Sequence, residues 1–190
     1  MEGTTTPDYQ RGVTFEEVWA MMRENARQFK ENEKLMKETQ KVIGKLGNRF
    51  GEMVEHMIVP NITEKFNELG FDFDRSLENL KIKETGNPDT LAEIDILLEN
   101  GDTAVAIEVK SKPKQGDVDD FLLKMEILRR HSDKRGDRRT FLGAIAGAIM
   151  SDTVRNYALK NGFYVVEQTG DTVRIVTPEG FKPREWPFGA

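Results

Sequence analysis

The chain has 190 residues, no cysteine, two histidines and a net charge of −5. That length accommodates one domain with its own core plus an appendage. The missing cysteine excludes disulfide scaffolds, zinc ribbons and thiol catalysis, and His56 and His131 are too few for a histidine-rich metal site. No stretch approaches the roughly 18 apolar residues of a membrane span, no basic-then-apolar leader is visible, and a cytoplasmic location is the expectation. A pI near 5.3 is not that of a general nucleic-acid coat protein.

Residues 1–13 are polar and Thr-rich and are expected to be a disordered N-terminus. From Phe15 to about Leu46 the chain is rich in Glu, Lys, Gln, Met and Arg, all helix formers. Phe15, Met22, Phe29, Met36 and Ile43 recur every seven residues, and Phe50 and Met57 continue the spacing. This is one seam position of a coiled coil, with a more polar second position at Val18, Asn25, Asn32, Thr39 and Leu46. Residues 14–47 are therefore expected to be a coiled-coil helix that makes a homo-oligomer; the bland alternative is an amphipathic helix lying on its own domain. Gly44 and Gly47 predict an interruption, with Asn48 capping a second helix that Pro60 bends and Gly70 ends.

Phe71 to Lys83 reads as strand, followed by a turn cluster at Gly86-Asn87-Pro88-Asp89. Leu91–Leu98 and Thr103–Lys110 read as two strands joined at Asn100-Gly101, a strong hairpin signal. Asp117 is a candidate cap for a helix whose apolar stripe is Val118, Phe121, Leu122, Met125 and Leu128. Phe141–Met150 is a near-continuous apolar run suited to a central strand. Ser151 caps a short helix ended by Gly162, and strands follow at Phe163–Glu167 and Thr172–Val176. The order predicts an α/β protein of the α+β kind, a mixed sheet with helices on both faces. The boundaries are 48–177 for this domain and 178–190 for a C-terminal tail laid over the core through Phe181, Trp186 and Phe188.

If Asn100 and Gly101 are the whole turn, Glu99 pairs with Asp102, and Asp95 sits diagonal to Glu108 on the face that also carries Lys110. Ile94, Ile96, Ile107 and Val109 then take the opposite face. Two adjacent carboxylates repel each other, and burial raises the cost. A hard divalent cation, Mg²⁺ or Mn²⁺, removes that penalty, and the Val109 carbonyl is a plausible further ligand. Such an ion polarises a phosphoryl oxygen, and an ammonium beside it holds water or offsets phosphate charge. Glu55 shares a helical stripe with Ile62, Phe66 and Leu69 and can extend the cluster, with Glu52 as the second choice; an ordinary surface acid is the alternative for both. Basic residues flank this acidic centre: Lys112 and Lys114 on one side, and Arg129, Arg130, Lys134, Arg135, Arg138 and Arg139 on the other. That pattern suits metal-dependent work on a polyanion, although solvated surface patches would look the same.

Asp95 followed on the next strand by Glu108-Val109-Lys110 resembles the PD-(D/E)XK nuclease superfamily. The segment LGNRFGEMVE, with the N-terminal helix, is similar to a poorly characterised branch with coiled-coil extensions. The resemblance covers about residues 49–176 and departs from the motif at Ile94, where the pattern has proline. It implies a restriction-endonuclease-like αβββαβ core, with DNA as the partner. It also implies Glu55, Asp95 and Glu108 as metal ligands and Lys110 as the residue that assists phosphodiester hydrolysis. The competing expectations are a catalytically silent nuclease fold that binds DNA or protein, and an oligomeric coiled-coil adaptor.

Overall fold

A computed structural model describes residues 12, 14–84, 86, 89–170 and 172–189, without the side chains of residues 46–60. Helix α1 (Phe15–Glu68) is followed by β1 (Arg75–Lys83), β2 (Thr90–Glu99), β3 (Thr103–Lys110), α2 (Gln115–Lys134), β4 (Thr140–Gly147), α3 (Asp152–Lys160), β5 (Tyr164–Thr169) and β6 (Thr172–Val176). The chain divides into two compact units, Met1–Gly47 and Asn48–Ala190. No helix among the described residues is long and apolar enough to cross a membrane.

The helix differs from expectation. It runs through the positions of Gly44, Gly47 and Pro60, where the sequence predicts an interruption. Each of these residues weakens a helix locally, but the good helix formers on both sides carry it onward. Within the first unit, Phe15, Met22, Phe29, Met36 and Ile43 are all exposed. Glu24, Arg27 and Glu31, and then Glu33 and Lys37, form ion pairs one turn apart along the same helix. The continuation of the seam at Phe50 and Met57 lies outside the described side chains, and Asn87 and Pro88 of the turn cluster lie outside the described residues.

In the second unit the six strands lie in sequence order. The β1–β2, β2–β3 and β5–β6 pairs are antiparallel, while β3–β4 and β4–β5 are parallel. The parallel pairs need crossovers, which α2 and α3 supply. One face of the sheet buries Ile62 and Phe66 of α1 with Ile96, Ile107, Val109, Ala144 and Val166. The other buries Val118, Phe121, Met125 and Leu128 of α2 with Ala106, Ile145 and Val165. The central strands β3 and β4 are thus covered on both sides, which explains their unbroken apolar runs. Ser151 Oγ accepts the Val154 N–H at the start of α3. At α2 the expected cap moves: Lys114 is the N-cap, and the Asp117 carboxylate accepts the Lys114 N–H from the third helical position.

The tail closes the α2 side. Trp186 is buried and exchanges backbone hydrogen bonds with Phe141, its ring stacks on Phe163, and its indole N–H donates to Glu126. Gly143, in the middle of β4, leaves the space that the Phe163 and Phe121 rings occupy. A Cβ added there meets the Phe163 ring edge well inside contact distance. Gly143→Ala is expected to lower stability by about 1–3 kcal/mol through overpacking, read as a shift in the urea midpoint with the slope unchanged; an unaltered midpoint would show that the ring yields freely.

Candidate functional site

The site lies where the β2–β3 ladder opens. The register runs from Glu99↔Ala104 to Ile96↔Ile107 and stops there. The turn falls one residue later than predicted, on Gly101-Asp102: the Asn100 N–H donates to the Thr103 carbonyl at 3.0 Å, and Asn100 Oδ1 accepts the N–H groups of both Asp102 and Thr103. An Asn side chain that bonds the backbone two residues on favours its own place at the start of a turn. The change slides β3 by two residues. An even slip keeps every side chain on its face, and continued past Ile96↔Ile107 this register would set Asp95 opposite Glu108.

At Asp95 the β1–β2 pair is irregular. Asn79, which faces Asp95 in the β1–β2 register, has a φ of 53°. Beyond it the alternation of faces breaks. Leu77 and Leu80 pack on the same core, and so do Leu97 and Ile94. This corrects the expectation that Ile94 shares a face with Ile96, which packs on the opposite side. An irregularity of this type re-aims one side chain. The Asp95 carboxylate turns toward β3 and accepts the Val109 N–H at 2.7 Å. A residue's N–H and C=O point to the same neighbour in an antiparallel pairing, so the Val109 carbonyl faces the same side.

Glu108 is 3% exposed. Its two oxygens meet two ammonium groups, Lys110 Nζ at 2.6 Å and Lys124 Nζ at 2.6 Å. Burial of a carboxylate on this scale requires such partners. Burial, and then repulsion from Glu108, push the Asp95 carboxyl above its ordinary value, against the Val109 hydrogen bond and the two lysines. For Lys110, burial acts downward, but the hydrogen bond and charge of Glu108 outweigh it, helped by Asp95 and Asp117, and the net shift is upward. The pairing with Glu108 thus holds Lys110 in its ammonium form.

Asp95, Glu108 and Lys110 come together as the sequence placed them, and the structure adds Lys124. Its signal was present, since it lies three residues after Phe121 and four before Leu128, at the border of the buried stripe of α2. Glu55 and Glu52 fall among the side chains outside the described residues. Among the described residues no group of three or more His, Cys, Asp or Glu is placed to hold a metal ion.

The expected nucleic-acid residues divide. Lys112, Lys114, Arg130, Lys134, Arg135 and Arg138 are exposed. Arg129 is 2% exposed and unavailable to a large anion. Its guanidinium donates to the backbone carbonyls of Asp137 and Arg139, pairs with Asp133 at 2.9 Å and lies over the Phe141 ring. It is a structural pin, which corrects its assignment to binding. Arg139 is likewise engaged, by Glu99 and Asp137.

Comparison with family models, curated proteins and solved structures gave no match to this chain. The site is accordingly read from its own chemistry.

That chemistry generates a stability test. A carboxyl whose pKa is raised by folding stabilises the native state only when protonated, and its contribution is lost as pH rises through the folded pKa. Asp95→Asn keeps an acceptor for the Val109 N–H and removes the charge. At pH 7.5 the variant is expected to melt above the parent, with the difference shrinking as pH falls toward 4. A variant that melts below the parent at pH 7.5 would mean that the charge, not the acceptor, holds β2 to β3.

Proposed function

We propose that the protein is a metal-dependent nuclease that hydrolyses phosphodiester bonds in DNA, with Asp95, Glu108, Lys110 and Lys124 as its reactive centre. The observation that carries this reading is the Asp95 carboxylate, raised in pKa by burial and by Glu108 and turned into an opening between two strands. Holding two carboxylates together in this way costs stability, and a divalent cation offsets that cost. The donor set, two carboxylates and the Val109 carbonyl, fits a hard ion such as Mg²⁺ or Mn²⁺. Asp95, Glu108 and that carbonyl would hold it, and Glu55 is the proposed further ligand. When bound, the ion supplies Lewis acidity and neutralises the carboxylate pair. The order of elements in the second unit, with three antiparallel strands, a crossover helix and a parallel strand, supports a restriction-endonuclease-like core for this proposal.

The side chains divide the work. Glu108 cannot leave its place, since it is buried on all sides. Lys110 is 39% exposed and Lys124 26% exposed, and both can turn toward a phosphate without opening a void. An ammonium at Lys110 stabilises charge that builds on the phosphoryl oxygens, and Lys124 steadies the same group from α2. The exposed Lys112 and Lys114 extend positive charge beyond the site, which an acidic chain needs in order to attract a polyanion.

A second reading has an observation of its own. Both Glu108 oxygens already rest on lysines, so the four charges sum to zero without a cation. A silent fold that binds nucleic acid would be built in the same way. Cleavage separates the two. With Mg²⁺ or Mn²⁺, single-stranded, double-stranded or branched DNA is expected to be cut. Asp95→Asn and Glu108→Gln should reduce the rate at least a hundredfold, and Lys110→Ala should slow it while the parent's response to metal persists. If no substrate is cut by the parent, or if Asp95→Asn cuts as fast, the silent fold stands in its place.

The first unit is proposed to join a second copy of the chain. An apolar row with seven-residue spacing matches another helix of the same period, and the row from Phe15 to Ile43 is exposed along its described length. Asn25 and Asn32 at the second seam position fix register at some cost in stability. Light scattering is expected to return a dimer or larger species, and Phe29→Glu should shift it toward the monomer. A monomer mass for the parent at high concentration would contradict the assignment.

A further inference from the structure

We propose that a cleft between the C-terminal half of α2 and the joined ends of β1 and β2 binds an unpaired stretch of the DNA substrate; this rests on the nuclease reading and names the form of strand that reaches its site. The cleft has a volume of about 830 Å³. Four cations line it: Lys83 from β1, and Arg130, Lys134 and Arg135 from α2. Among the described residues Glu84 is the one acid on its wall, and it leans on Lys134 at 3.4 Å. A concentration of cations in a chain with net charge −5 makes this a local positive well with low-dielectric walls, which focuses the field on an approaching anion.

Two apolar side chains share the lining. Leu91 is 42% exposed although it stands in β2, and Ile127 lines the same space from α2. His131 also lines it; burial, followed by the nearby Arg135 and Lys134, holds its imidazole below the usual pKa, so the ring is neutral at physiological pH. Cations, two apolar side chains and a neutral aromatic ring in one cleft match a nucleotide whose phosphate meets the cations and whose base rests on Leu91 and Ile127 or stacks on His131. Bases are available for this only when unpaired. A duplex keeps its bases stacked inside and offers Leu91 and Ile127 nothing to bind.

The cleft is aligned with the candidate site. Lys124, Ile127, His131 and Lys134 follow the three- and four-residue spacing of one helix face. Lys124 holds Glu108 at one end, and Lys134 rims the cleft at the other. Ten residues of helix span about 15 Å, so a strand held in the cleft and lying along α2 reaches the site within a few nucleotides. Arg129, next in sequence to Arg130, points inward and takes no part.

The test uses the full chain and a fluorescein-labelled 20-nucleotide single strand, beside the duplex of the same sequence, in EDTA so that nothing is cut. Anisotropy is expected to show the single strand bound more tightly than the duplex. Arg130→Ser/Lys134→Ser/Arg135→Ser, three exposed changes, should weaken single-strand binding at least tenfold. It should also make the slope of log affinity against log salt shallower by about 2, as expected when three phosphate contacts are lost. Leu91→Glu should weaken the single strand and leave the duplex as it was. Equal or tighter duplex binding, or a triple variant that binds like the parent, overturns the cleft. In that case cleavage that still depends on Asp95 leaves the nuclease reading intact. Binding through the cleft by a parent that cuts nothing in Mg²⁺ or Mn²⁺ overturns the nuclease reading and keeps the cleft.

Discussion

Glu108 is a charged group in the floor of a sheet, and the architecture around it is arranged to make that tolerable. A carboxylate at 3% exposure needs partners at both oxygens, and removing one partner from a buried pair costs several kcal/mol. Lys110 answers from the same strand and Lys124 from the crossover helix. The position of α2 on the sheet is thereby tied to the charge as well as to the apolar contacts of Phe121 and Met125. The same constraint shapes β2. If the ladder continued past Ile96↔Ile107, Asp95 would stand beside Glu108 with its charge unscreened. The strands instead part, and Asp95 takes the Val109 N–H that the ladder gives up.

Much of the fold was legible because its signals were periodic. Val118, Phe121, Met125 and Leu128 announced α2, and the unbroken run from Phe141 to Gly147 announced a strand covered on both faces. The mixed sheet and long N-terminal helix follow from such patterns. What escaped the reading depended on single side chains acting on the backbone. Asn100 pairs with Thr103 and moves the two-residue turn to Gly101-Asp102, its side-chain oxygen accepting the N–H groups of Asp102 and Thr103. Asn79 adopts a φ of 53° and breaks an alternation that the hydrophobic pattern could not show. Pro60 and the paired glycines failed to stop α1, because local breakers act against the propensity of a long flanking sequence.

The candidate site was legible for a related reason. The face of a strand residue follows from parity, and from Ile96 onward the two-residue slip in register leaves parity untouched, so Asp95, Glu108 and Lys110 fall together although the turn lies one residue later than predicted. Lys124 required the tertiary contact between α2 and β3, which no spacing within β3 encodes. Arg129 shows the converse. In a run of arginines and lysines it looked like its neighbours, yet a single residue step, about 100° round the helix, separates the guanidinium buried over Phe141 from that of Arg130 at the surface. Charge runs report composition, and only the helix phase says which members face solvent.

The central claim is that the opening between β2 and β3 is a seat for a divalent cation. Manganese binding read by electron paramagnetic resonance addresses it without reference to any substrate. Titrating Mn²⁺ into the protein should show saturable loss of the free-ion signal, competed by Mg²⁺, and both Asp95→Asn and Glu108→Gln should abolish the saturable phase while each variant retains its fold. A parent that leaves the free-ion signal unchanged, or variants that bind Mn²⁺ as the parent does, would contradict the account and leave the four charges as a structural cluster.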